Sequence, residues 1–74
     1  MSNVVFYTQP GCHLCEDARG LLDRWGIDYE VVESDSRYVL RVPVVEVDGA
    51  VVAEAPIDER RLARALGVRR RTRA

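Results

Sequence analysis

In Thr8-Gln9-Pro10-Gly11-Cys12-His13-Leu14-Cys15, two cysteines stand three apart where an apolar run gives way to helical spacing. The run before them, Val4-Val5-Phe6-Tyr7, suits a strand buried on both faces. After them Leu14, Ala18, Leu21, Leu22 and Trp25 recur at steps of four, three, one and three. That spacing predicts one apolar face of a helix, with Trp25 in the core. Pro10 and Gly11 mark the turn between strand and helix. Cys12 is therefore expected at or just before the first helical turn, and Cys15 one turn on.

The position has chemical consequences. Backbone N–H groups in the first turn lack intrahelical acceptors, and the macrodipole is positive there. A thiolate at Cys12 is stabilised by both, so its pKa is expected below the free-thiol value of about 8.5. Cys15 is placed to attack a mixed disulfide formed on Cys12. Glu16 and Asp17 suit a helix N-terminus as plain stabilising acids.

The 74 residues suffice for one domain with a small core. Apolar residues make up 47% and charged residues 31%, the balance of a soluble globular chain. No apolar run is long enough to span a membrane. No basic segment followed by an apolar one precedes the first strand, so a cytoplasmic, reducing home is expected. In that setting a CxxC pair reads as redox-active or metal-binding rather than as a structural staple. The net charge of −1 hides an asymmetry: Arg69, Arg70, Arg71 and Arg73 crowd the C-terminus. Without them seven arginines face twelve acids, a net of −5. Residues 68–74 are expected to form a disordered tail beyond a domain spanning 1–67. The body lacks a basic face with interleaved aromatics, so nucleic acid is not an expected partner.

Further along, Asp28–Glu33 reads as a second strand, parallel to the first through a right-handed crossover. Gly26 is placed to end the helix, and Gly20 inside it costs about 1 kcal/mol relative to alanine. Ser34–Arg41 is too short for a full helix and reads as a single helical turn or a loop. Pro43–Val47 and Ala50–Ala53 flank Asp48-Gly49, the signature of a two-residue type I′ hairpin. After Pro56, Asp58 is placed to cap a last helix, with Ile57 and Leu62 at staple spacing and Gly67 at its end. Leu62, Ala65 and Leu66 make its expected apolar face. The order is β-α-β, a short turn, β-β-α: an α/β fold with a four-stranded mixed sheet and flanking helices.

Up to Gly67 the chain resembles the glutaredoxins, within the thioredoxin-like fold. Tyr7 to Cys15 resembles the family's opening strand, loop and active-site motif. Arg41-Val42-Pro43 stands where the family has Thr-Val-Pro, with a cis proline. Val47-Asp48-Gly49 matches its hairpin turn. The resemblance implies a thiol–disulfide oxidoreductase and electron carrier. Cys12 would be the nucleophile and Cys15 the resolving thiol. Val42, beside a cis Pro43, would offer its backbone to an extended substrate. Tyr7, Gln9 and His13 complete the expected substrate-binding set, with Tyr7 either edging the site or packed in the core, and His13 either supporting the thiolate when protonated or a solvated residue of the turn. No metal or other cofactor is implied beyond the redox-active disulfide.

The departures bear on the reductant. Gln9 replaces a common lysine that pairs with the thiolate and with a glutathione carboxylate. His13 and Leu14 replace a proline and an aromatic. Ala53-Glu54-Ala55-Pro56 stands in place of a pattern that grips glutathione, and the helix before Val42-Pro43 is almost deleted. The electron donor is open between glutathione and thioredoxin reductase. The substrate would be a disulfide-bearing protein or a small thiol, and the chain a monomer.

Two rival readings follow from the same residues. One is metal or iron–sulfur binding through the CxxC pair, in one copy or in a dimer that pairs two such motifs. A closed zinc site needs four ligands, and here only His13 adds a third. The other is a non-catalytic interaction module that keeps the fold and uses the arginine tail as its handle.

Overall fold

The computed structural model describes residues 3–68; the arginine-rich stretch expected to be a disordered tail lies, from Arg69 on, outside the described residues. Its elements are β1 (Val4–Thr8), α1 (His13–Arg24), β2 (Glu30–Glu33), β3 (Val44–Val47), β4 (Ala50–Glu54) and α2 (Glu59–Ala65). The sheet order is β2-β1-β3-β4. β1 and β2 run parallel, and both other pairs are antiparallel. This is the mixed four-stranded sheet and element order that the sequence predicts. Among the described residues no helix is long and apolar enough to cross a membrane.

Local chemistry explains the boundaries. Cys12 caps α1, Trp25 ends it, and Gly26 turns away at φ 69°. Asp48 (φ 52°) and Gly49 (φ 86°) both sit in the left-handed region, as a type I′ hairpin requires. The Asp58 carboxylate accepts from the backbone N–H groups of Arg60 and Arg61, so α2 starts on a side-chain cap. Ser34–Arg41 forms turns rather than a helix, and Leu40 in it is 94% exposed. The peptide bonds before Pro43 and Pro56 are both cis.

Alternation along β1 divides the core in two. Val4 and Phe6 face a cluster that includes Cys15, Ala18 and Leu22 of α1 and Leu62 of α2. Both helices therefore lie on one face of the sheet. Tyr7 faces the other way, into a smaller cluster with Val44 and Tyr38 of the turn. Two expected helix faces hold except at one residue each. The buried stripe of α1 is Cys15-Ala18-Leu22, and Leu14 is 56% exposed. In α2, Ala63 is buried with Leu62, while Ala65 faces out. Leu21 and Leu66, expected on these faces, pack partly buried against the Phe6 cluster. Trp25, expected in the core, packs against the cluster half-buried.

Topology sets where the loops emerge. Thr8 pairs with Glu33, and Tyr7 pairs with Val44. The C-terminal ends of β1 and β2 and the start of β3 thus share one end of the sheet. The cysteine loop and the Val42-Pro43 segment both leave from that end.

Candidate active site

Cys12 and Cys15 are joined in a disulfide, with Cα atoms 5.2 Å apart, inside the range such bridges span. The backbone of Cys12 is extended (φ −93°, ψ 107°), as an N-cap residue requires. Its Sγ accepts a hydrogen bond from the Cys15 N–H at 3.1 Å. Its carbonyl accepts from the Glu16 N–H at 3.2 Å, the first bond of the helix. A sulfur so placed receives an otherwise orphaned backbone donor at the positive end of the helix. The two sulfurs differ in access: Cys12 is half-buried, whereas Cys15 is 2% exposed and packed in the core.

A pocket of about 150 Å³ opens beside the dithiol. Cys12 and Cys15 form part of its wall with Thr8, Gln9, Pro10 and Gly11. Its charged walls are Glu16 and Arg19 of α1 and Glu33 at the end of β2. Larger hollows lie elsewhere, one of about 350 Å³ against Gly26 and Leu66, and carry no cysteine. Among the described residues no group of three or more His, Cys, Asp or Glu side chains could hold a metal ion.

The other expected site residues fall in different places. Gln9 lines the pocket. His13 is the first residue of α1 and is exposed, outside the pocket wall. Val42 packs against both clusters, and Pro43 is buried. The Val42 N–H already donates to the Tyr38 carbonyl at 3.0 Å.

Tyr7 is a correction. It does not edge the dithiol, because strand alternation sends its ring to the opposite face of the sheet from Phe6. There its hydroxyl donates to Glu46 at 3.0 Å and accepts from Arg37 at 3.2 Å. Tyr38 donates to the second oxygen of Glu46 at 2.6 Å, and the two rings meet edge-on at 4.6 Å. Glu46 is itself 8% exposed. Burial first, then Glu46, pushes the Tyr7 phenol above its ordinary value of 10.0, and Arg37 partly opposes this. Glu46, more than burial, raises that of Tyr38. Sequence reading missed Glu46 as a buried group; its place on the same strand face as Val44 was the available signal.

Comparisons with known proteins agree with this geometry. No curated protein matches the chain. Glutaredoxin 1 from Francisella tularensis, solved in complex with cacodylate, superposes with a TM-score of 0.67 at 17% identity. That match covers 89% of this chain and 95% of the other and bears on fold alone. Protein XcR50 from X. campestris, a structural-genomics target, superposes with a TM-score of 0.72 at 29% identity. It covers 90% of this chain and 99% of that one. Residues 3–67 match the family described as glutaredoxin-like domain (DUF836). With a thioredoxin-like sheet, a CxxC disulfide at the start of α1 and that match over most of its length, the chain belongs to the glutaredoxin-like domain family.

Proposed function

We propose that this protein is a small thiol–disulfide oxidoreductase in which Cys12 attacks and Cys15 resolves. The observation that carries the reading is the asymmetry of the pair. Cys12 is accessible and caps the helix through its Sγ, while Cys15 is sealed directly behind it. An exposed sulfur stabilised as a thiolate is the nucleophile that exchange needs.

In the reduced protein the Cys12 thiolate attacks one sulfur of a substrate disulfide. A bond forms from Cys12 to that sulfur, and the other leaves as a thiolate that takes a proton from water. Cys15, deprotonated, then attacks the Cys12 Sγ. The Cys12–Cys15 disulfide forms and the second substrate thiolate departs. Two electrons have passed to the substrate, and an external thiol must return them. Glutathione or a thioredoxin reductase fills that role in our reading, in a reducing compartment such as the cytoplasm, with the protein a monomer.

Substrate contact follows from the shared end of the sheet. Gln9 and His13 flank Cys12 in sequence, and the Val42 backbone, set by the buried Pro43, leaves the sheet at the same end. Exposed Leu14 adds an apolar contact within the motif. With the Val42 N–H engaged, an extended substrate gains one backbone bond at this edge rather than two.

The test is disulfide reduction by the reduced protein, with single-cysteine variants. Cys12→Ser is expected to lose all activity, and Cys15→Ser to trap a mixed disulfide on Cys12. Equal turnover by Cys12→Ser and the parent would overturn the reading. Offering the oxidised protein glutathione and a thioredoxin reductase system in separate reactions identifies the donor by which one restores free thiols.

A further inference from the structure

The pocket beside the dithiol contains no lysine, because the chain has none, and Gln9 brings no charge. Among the described residues its one basic side chain is Arg19. Arg19 follows Cys15 by four residues and Cys12 by seven, so all three share one stripe of the helix start. Arg19 lines the same pocket as both sulfurs, although it lies two turns into the helix.

Its side chain is also braced. The Arg19 Nε donates to the Tyr29 hydroxyl at 3.2 Å, and that hydroxyl donates to Asp23 at 2.7 Å. Tyr29 is in turn held edge-on against Phe6, with ring centroids 5.8 Å apart. The strut engages Nε through the neutral Tyr29 hydroxyl, with the Asp23 carboxylate behind it, so the guanidinium keeps its charge. Among the described residues Arg19 forms no ion pair.

We propose that Arg19 is the cation of the dithiol pocket, the charge that holds Cys12 as a thiolate once the disulfide opens. This rests on the reading of Cys12 as nucleophile. The groups that act on Cys12 are identifiable. Glu16 from α1 and Glu33 from β2 share the pocket wall and oppose a thiolate, and His13 adjoins it from the first helical position. The helix N-terminus and Arg19 favour it. Without Arg19, the helix N-terminus alone offsets the two carboxylates. Groups lining one pocket of about 150 Å³ interact within the Debye length of roughly 8–10 Å at ordinary ionic strength.

The experiment is the pH profile of Cys12 alkylation by iodoacetamide in the full chain, with Cys15→Ser as the parent so that one thiol reports. Arg19→Gln is expected to raise the midpoint by roughly half a pH unit, the scale Coulomb's law gives for charges several ångströms apart in a largely aqueous medium. Arg19→Lys should restore most of the shift, and Glu33→Gln should move the midpoint down. Salt near 1 M should shrink the Arg19→Gln difference by screening. A midpoint at or above about 8.5 in the parent overturns the nucleophile reading itself. A low parent midpoint that Arg19→Gln leaves unchanged overturns the assignment of Arg19 alone.

Discussion

The two faces of the sheet are held by different physics. On one, α1 and α2 bury Phe6, Leu22, Leu62 and Val45 in an apolar cluster. On the other, ten residues link β2 to β3, too few for a covering helix. The turn they form closes that face with Tyr38, whose hydroxyl shares the buried Glu46 carboxylate with Tyr7. Arg37 and Arg41 lie over the Tyr38 ring at 5.1 and 5.6 Å, and Arg41 is tied to Glu54. Burial, which is non-directional, holds the helical face. Directional bonds hold the turn face, and through the Tyr38 carbonyl they fix Val42 next to Pro43. The dithiol sits on the rigid side, and the segment proposed to meet substrate hangs from the clamped side.

Core truncation should sharpen this contrast most. Phe6→Ala is expected to cost about 3–5 kcal/mol in urea unfolding, the range for a large aromatic removed from a packed core. Glu46→Ala is expected to cost less, roughly 1–3 kcal/mol, the penalty for stranding buried hydroxyl donors. If Glu46→Ala equalled Phe6→Ala, the polar clamp would carry as much of the fold as the helical core, and the contrast would fail.

Alkali should strike the turn face through its two phenols. The phenols of Tyr7 and Tyr38 are raised in the folded state, so the native protein binds their protons more tightly than the unfolded chain. Their contribution is fully present below the unfolded value of about 10 and is lost as pH rises through the higher folded values. Unfolding free energies from about pH 8 to about pH 11 should fall in the parent and fall less in Glu46→Gln, where no carboxylate opposes the phenolates. Parallel profiles for the two proteins would refute the coupling.

Gly20 offers the smallest test, on the helical face. It lies in α1, exposed, and a Cβ there meets no atom within 4 Å. Gly20→Ala should therefore stabilise the protein by about 0.5–1 kcal/mol, seen as a higher urea midpoint. A loss of stability would show that α1 needs this glycine for a reason other than packing.

These regions also differ in how far their residues announced them. The motif from Pro10 to Cys15, the Asp48-Gly49 turn and the Asp58 cap are local signals, each set by neighbours in sequence, and each is where it reads. Cys15 was legible as chemistry but not as packing: a cysteine behaves as a small apolar residue, and counting it so puts the α1 stripe at 15, 18 and 22. The Glu46 clamp was not legible. A carboxylate between valines reads as solvent-facing, and its partners Tyr7 and Tyr38 lie 39 and 8 residues away. Tyr7 misled for the same reason, since the end of β1 is next to the motif in sequence while its ring crosses to the far face. Arg19 reads as an ordinary exposed helix residue until β2 brings Glu33 and Tyr29 alongside it.

The central claim is that the helix start holds Cys12 as an accessible thiolate. It is tested most directly by titrating Cys12 in Cys15→Ser through its alkylation rate. The account predicts a midpoint clearly below the free-thiol value of about 8.5. A midpoint at or above that value, or a Cys12 that resists alkylation in the folded protein, would contradict it.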